Sequence, residues 1–334
     1  MSTRLLLLPI ALVAVVLIAL SVGRYPLAPT DVVTFFCARV GLAELAPERL
    51  DLLHNLIVEI RLPRVLAAGL IGAALATSGA SFQAVFRNPL VSPGILGVLG
   101  GAGFGAALGI LVSGNLLVVQ ASAFLMGIVA VGVGVVIANL FGSASMVTLV
   151  LGGMISGALF TSALSIVKYV ADPYEQLPAI VYWLMGSLGG VELRHVESAA
   201  GPILAAVAAM TLAGRALDAL SMGDDEARSL GVPVEATRYG VIAAATLASS
   251  LCVSLAGMIG WVGLVVPHVA RLAIGPTNSR LLPASAMLGA IFLIVADCVA
   301  RNIAHAEIPI GVVTELLGVP AFVLVLGRAR RAWL

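Results

Sequence analysis

An all-α, polytopic integral membrane protein is the fold class this sequence predicts, and three observations carry that prediction. Hydrophobic residues fill 60% of the 334 positions and charged residues only 10%, against roughly 25% charged in soluble domains. Mean hydropathy is +1.11. Apolar stretches of the length a bilayer-crossing helix needs, about 20 residues, recur along almost the whole chain. They leave no gap for a water-soluble unit, so residues 1–334 read as a single transmembrane domain. A formal net charge of +1 without any Lys or Arg run excludes a nucleic-acid binder that works by electrostatics. Cys37, Cys252 and Cys298 form no C-x-x-C pair and read as packing residues.

Ten spans follow from the pattern. The first, about 5–22, has one Arg before its apolar run and no small-x-small site ahead of polar sequence, so it reads as a retained helix rather than a signal peptide. Residues 24–59 carry Pro26, Pro29, Pro47 and several charges, which predicts an interfacial loop with short helices that does not cross the bilayer. The second span, about 62–86, stops at Arg87-Asn88-Pro89-Leu90-Val91-Ser92-Pro93-Gly94, where two prolines favour a re-entrant turn. Spans near 94–112, 116–140 and 148–170 come next. Between Asp172 and Arg194, the residues Pro173, Pro178, Trp183 and Gly189-Gly190 predict a short interfacial half-helix. The last five spans fall near 197–214, 237–258, 259–275, 282–303 and 308–327. An even count puts both termini on one side. Arg4, Arg215, Arg228, Arg238, Arg271, Arg280, Arg328, Arg330 and Arg331 fall there too, which marks that side as cytoplasmic. Arg24, Arg39, Arg49, Arg61, Arg64, Arg194 and Arg301 are then left on the far side, an unusual positive load.

The residues that could carry function lie in a few places. Gly223-Asp224-Asp225-Glu226-Ala227-Arg228-Ser229-Leu230-Gly231-Val232-Pro233 is an acidic island between apolar segments. It predicts a short helix with Asp224 as N-cap, Asp225 and Glu226 on the positive end of the dipole, and Gly231 and Pro233 as the stop. One short charged helix outside the bilayer reads as a contact surface for a partner. Arg61, Arg64 and Arg301 read either as arginines snorkelling from helix ends or as a site that grips the carboxylates of an acidic partner. Gly97, Gly101, Gly105 and Gly109 share one helix face, for close static packing or for sliding. Asp297, Glu307, Glu315, His268 and His305 lie in or beside apolar spans, where ionisable groups are functional candidates and proton coupling is the sharpest option. Asp297 and Arg301 are spaced i, i+4 and can neutralise each other. No spacing matches a metal site or a nucleophile–base set, so a membrane enzyme is the weakest reading. Lys168, the single lysine, follows Val167 rather than Gly, so no phosphate-binding P-loop is present. If ATP drives this protein, the nucleotide is bound elsewhere.

Several segments together resemble the FecCD-type permeases of bacterial ABC importers for iron-siderophores, haem and cobalamin. The marks are Arg61-Leu62-Pro63-Arg64 with Gly79 and Gln83, then Asn88-Pro89-Leu90, Pro93-Gly94, Leu96-Gly97 and Trp183-Leu184-Met185-Gly186-Ser187-Leu188. The acidic island, Gly263-Leu264-Val265-Val266-Pro267-His268 and Pro309-Ile310-Gly311-Val312-Val313-Thr314 complete the set. The resemblance implies a ten-helix subunit of the type II, cobalamin-permease-like bundle in the bacterial inner membrane, both termini cytoplasmic. It also implies a second permease copy, two ATP-binding subunits that carry ATP and Mg²⁺, and a periplasmic or lipoprotein binding protein. Residues of about 217–234 would form the coupling segment, with Gly223 to Gly231 as the ATPase contact. Arg61, Arg64 and Arg301 would meet acidic residues of the binding protein, and Ser143, Ser145 and Thr148 would belong to a cytoplasmic gate. No cofactor, metal or catalytic residue is implied within this chain. An ion- or proton-coupled secondary transporter using Asp297, Glu307 or Glu315 is the alternative.

Overall fold

The computed structural model describes residues 3–140 and 145–332, and among them every regular element is a helix. Helix α1 (Thr3–Ser21) is followed by two short helices, α2 (Pro29–Arg39) and α3 (Pro47–His54). Both open on proline, whose missing N–H is no loss in a first turn. The loop expected up to residue 59 ends earlier than the sequence suggested. Helix α3 continues through a π-helical turn, Asn55–Arg61, into α4 (Leu62–Val85), which makes one helix of 39 residues from Pro47. Pro63 explains the widened turn, because its ring excludes the carbonyl of residue 59 and removes one hydrogen bond, and the extra residue per turn absorbs both effects.

After α4 come a 3₁₀ turn, Pro93–Leu96, and α5 (Val98–Val112), α6 (Leu116–Leu140), α7 (Met146–Val170) and the half-helix α8 (Gln176–Leu184). The chain goes on through α9 (Leu193–Leu212), α10 (Gly214–Met222), α11 (Asp224–Ser229), α12 (Val234–Ala256), α13 (Val262–Ile274), α14 (Asn278–Asn302) and α15 (Ile310–Ala332). Six helices among the described residues are long and apolar enough to cross a membrane, and four shorter apolar ones, Leu5–Ser21, Val98–Val112, Val262–Ile274 and Ile310–Leu324, correspond to the other expected spans.

Helix α4 is the hub, with α9, α12, α13 and α14 around it. Its inward side is mostly small residues, Ala67, Ala68, Gly72, Ala76 and Gly79 among them. Lipid tails provide no hydrophobic force between helices, so contact depends on backbones that approach closely. The expected glycine ladder is three-quarters right. On α5, a Cβ at Gly105 would overlap the Ser122 carbonyl of α6, one at Gly101 the Met126 carbonyl, and one at Gly109 would sit 2.8 Å from Val119 Cα. Gly97 is not on that helix face. It caps α5 with φ +89° and lies against Gly157 of α7 instead.

Helices α12 and α13 are separated by residues 257–261, where Gly257 has φ +71° and Trp261 has φ +68°. The Ala256 carbonyl before this break accepts from the Ser187 N–H at 2.8 Å, and the loop after α8 that supplies it is held in turn by the Ile310 and Gly311 N–H groups, which donate to the Gly186 and Met185 carbonyls. Non-helical backbone survives at membrane depth only when satisfied in this manner.

Candidate functional site

The acidic island folds as a helix of six residues, α11, set at an angle to α10 by Gly223 (φ +146°). The expected end signal is present: Gly231 takes φ +79°, its N–H donates to the Arg228 carbonyl at 2.9 Å, and Val232 N–H returns to Ala227 at 3.0 Å. Ala227 is fully buried and anchors the turn. Asp225 faces solvent with its carboxylate 2.9 Å from Arg228, and Leu230 is 63% exposed at the tip. Glu226 and Ser229 also lie on the outer surface.

The start of α11 differs from the expectation. Gly223 is the N-cap and no side chain caps the helix. The Asp224 carboxylate turns away from the backbone to two arginines: Arg238 of α12 donates to Oδ2 at 2.8 Å, and Arg87, just past α4, donates to Oδ1. Charge-assisted bonds outcompete an N–H cap here because both guanidiniums converge on the same carboxylate. Arg238 above all, with Arg87, holds the Asp224 carboxyl below the usual carboxylate range. Arg87 itself has φ +48°, a left-handed conformation costing a non-glycine residue about 1–2 kcal/mol. Its Nε also donates to the Leu220 carbonyl at 2.7 Å, so the strained residue clasps both α10 and α11.

A second fastening went unseen in the sequence. Asp218 of α10 accepts from the N–H groups of Asn278 at 2.6 Å and Ser279 at 3.3 Å, so it caps α14 from another helix. Asn278 Nδ2 reaches Ser221 at 3.3 Å. No local signal announces Asp218, because a cap 60 residues away leaves no trace in the spacing. The segment α10–α11 is thus tied to three membrane helices, α4, α12 and α14. A cavity of about 430 Å³ opens beside it, lined by Arg87, Ser145, Asp224, Glu235, Arg238 and Tyr239. Ser145 and Thr148 cap α7, with Ser145 Oγ accepting the Thr148 N–H at 3.1 Å. Ser143 lies outside the described residues.

At the opposite ends of these helices the arginines of the sequence reading come together, but not as an open patch. Arg61, Arg64 and Arg301 are 4%, 8% and 6% exposed. Arg64 Nε lies 2.7 Å from Asp297 Oδ1 and its Nη1 2.8 Å from Glu307 Oε2. Arg301 Nε stands 3.0 Å from Asp297 Oδ2, the expected i, i+4 pair, without hydrogen-bond alignment. Arg61 gathers the carbonyls ending α1, those of Leu20 at 2.6 Å and Ser21 at 2.8 Å, and that of Tyr25. Those carbonyls form the negative end of a helix dipole, which suits a cation. Burial demands these partners, since an unpaired guanidinium inside a bundle is expensive. Asp297 and Glu307 are committed to these ion pairs, whereas Glu315 is exposed on α15.

Comparison with known proteins agrees with this architecture. The model of the FecCD transport family matches residues 11–328. The molybdate import system permease protein MolB of Haemophilus influenzae is 35% identical over 324 residues, which cover 97% of this chain and 95% of that protein. A probable iron chelatin transport system permease protein of Helicobacter pylori is 37% identical over 295 residues, 88% of this chain and 89% of the other. A solved structure described as an inward-facing conformation of a putative metal-chelate type ABC transporter superposes with a TM-score of 0.85 at 34% identity, covering 97% of this chain and 98% of that one. A match that runs through the arginine-lined helix ends, the fastened short helices and the broken pair α12–α13 alike places the chain in the FecCD transport family.

Proposed function

We propose that this chain is the permease subunit of a binding-protein-dependent ABC importer, moving a metal chelate across the bacterial inner membrane by ATP-driven alternating access. The observation that carries the reading is the fastening of α10–α11 to α4, α12 and α14 through Asp218, Asp224, Arg87 and Arg238. A helix of six residues with its acidic tip exposed and its root tied to three membrane helices has the form of a lever. Force applied at the tip reaches the bundle through ion pairs and caps rather than through a mobile loop, and it biases two states of the bundle.

The lever needs a motor, and the chain has no P-loop. Two ATP-binding subunits that carry ATP and Mg²⁺ press on α11 from the cytoplasm, where both termini also lie. A second permease copy completes the pathway, and a periplasmic or lipoprotein binding protein supplies cargo. The permease does no chemistry on that cargo. The iron chelate of one relative and the molybdate of another support a metal-containing cargo, an iron-siderophore ahead of haem, cobalamin or an oxyanion.

The docking role of Arg61, Arg64 and Arg301 takes a changed form. Glu307, whose side chain is 36% exposed, is the most displaceable member of the cluster. A carboxylate on the arriving binding protein that takes its place on Arg64 docks and loosens the outer end of the bundle in one step.

Vesicles holding the permease with its ATPase and loaded binding protein test the proposal, with ferric siderophore as the probe. Uptake is expected to require ATP and to persist when an ionophore collapses the proton gradient. Uphill accumulation by the permease alone, or uptake that fails with the gradient, defeats it and favours a secondary transporter using Asp297, Glu307 or Glu315.

A further inference from the structure

Neither the helix packing nor the lever accounts for Glu315. It stands inside the apolar run Ile310–Leu324 of α15. It is nonetheless exposed, and it makes no hydrogen bond or ion pair among the described residues. Carboxylates within a membrane span face a bundle interior or water, because lipid cannot solvate them. Asp297 meets the same constraint with two arginines. Glu315 has no such partner among the described residues, and a water-filled space is the remaining surrounding that can solvate it.

Its neighbours describe the wall it belongs to. On one flank α15 is open, with Leu316 67%, Val319 41% and Val323 62% exposed. On the other flank Gly318 meets the Trp261 side chain, and the Phe322 ring lies 6.1 Å from that of Trp261 and 5.4 Å from that of His268. Gly260 leaves space beside the carboxylate, since a Cβ there would lie 3.8 Å from Glu315 Oε1. Trp261 is held in a left-handed conformation, φ +68°, that a bulky residue rarely adopts. This puts the residue between α15 and an intramembrane cavity of about 230 Å³ that Ser249, Gly263 and Leu264 also line. An unpaired carboxylate beside a break in the helix wall is the chemistry that attracts cations, by charge.

We infer that Glu315, beside Gly260 at the α12–α13 break, lines the water-filled translocation path and biases it toward cargo that presents positive charge or hydrogen-bond donors. Anionic cargo is disfavoured by the same group. This deepens the import reading and rests on it. The group acts as a filter on passage rather than as a tight site, because a single charge in a wet path is strongly screened.

The test needs no knowledge of the native cargo. In vesicles holding the assembled importer, with Cys37, Cys252 and Cys298 changed to Ala, Val319→Cys one turn from Glu315 is reacted with a cationic trimethylammonium and an anionic sulfonate methanethiosulfonate. Each rate is divided by that for a free thiol. With Glu315 present, the cationic reagent is expected to gain about tenfold over the anionic one, the Coulomb effect of one charge some 6 Å away in water. Glu315→Asp keeps that preference and Glu315→Gln removes it. Absence of labelling at both Val319→Cys and Val323→Cys, or a preference that Glu315→Gln leaves unchanged, overturns the inference. Binding-protein-stimulated ATP hydrolysis in the same vesicles reports on the import reading separately. Its presence with unlabelled cysteines sinks the filter alone, and its absence from the parent chain sinks the import reading itself.

Discussion

Asp224 and Asp218 show how single carboxylates fasten a surface segment to membrane helices, which is what the proposed lever requires. Asp224 is bound by Arg238 and Arg87, which depress its pKa. A carboxyl lowered in the folded state contributes stability that is complete above its unfolded pKa and is lost as pH falls through the folded value. Protection of residues 223–232 against hydrogen exchange, taken relative to the intrinsic rate at each pH, is therefore expected to be full near neutrality and to fall below about pH 4, the unfolded range of Asp. Asp224→Asn should show the reduced protection at every pH, at a cost on the order of 1 kcal/mol for a partly exposed pair. Asp218→Ala removes a cap from two N–H groups of α14, a loss of roughly 1–2 kcal/mol. Its sharper effect is mechanical: ATP hydrolysis by the assembled importer should continue while uptake falls, because the push no longer reaches α14. Retained uptake in Asp218→Ala would remove that residue from the transmission. Of these two aspartates the sequence pointed only to Asp224, and to the wrong partner for it. Capping is a local pattern, whereas two arginines that arrive from α4 and α12 are not.

Among the elements, the contrast between α5 and α4 separates what spacing reveals from what it hides. Three of the four ladder glycines sit where a period of four predicts, against α6. Gly97 leaves the pattern because the chain needs a left-handed residue between the 3₁₀ turn and α5, a demand of backbone geometry that spacing does not record. Gly105→Val would drive a branched side chain into the Ser122 carbonyl. Thermal unfolding in detergent should register a loss of about 1–3 kcal/mol, the usual effect of overpacking. The start of α4 escaped the sequence reading for the opposite reason. Charges and prolines in 24–59 read as interfacial, yet from Pro47 they are absorbed in one long helix whose π-helical turn accommodates Pro63.

At the scale of the whole molecule, the arginine cluster joins α1, α4, α14 and the segment before α15 at one end, as the lever joins α4, α12 and α14 at the other. Helices α4 and α14 are common to both, and a Cβ at Gly72 of α4 would meet the Gly289 carbonyl of α14. In the proposed mechanism this closely packed pair is the axis along which a push at α11 reaches the outer cluster. Asp297→Asn leaves Arg64 and Arg301 buried without their shared counter-charge, so it should destabilise the fold by about 3–5 kcal/mol. Glu307→Gln, at a side chain 36% exposed, should cost under about 1 kcal/mol while strengthening docking, because the arriving carboxylate no longer has to displace another from Arg64. Equal losses in the two variants, read from unfolding in detergent, would contradict the difference in burial.

The sequence by itself determined that the chain is a many-helix membrane protein, roughly where its spans fall, that it carries no phosphate-binding P-loop, and which short stretch outside the spans is charged. Each of these depends on residues near one another along the chain, because burial of a backbone in lipid is settled span by span. Only the tertiary structure decided that Arg64 belongs to Asp297, 233 residues away, that Asp218 caps α14, and that Glu315 makes no hydrogen bond or ion pair among the described residues. The reason is physical: a buried charge takes whichever counter-charge the packing brings within about 3 Å, and no property of the neighbouring sequence sets that choice.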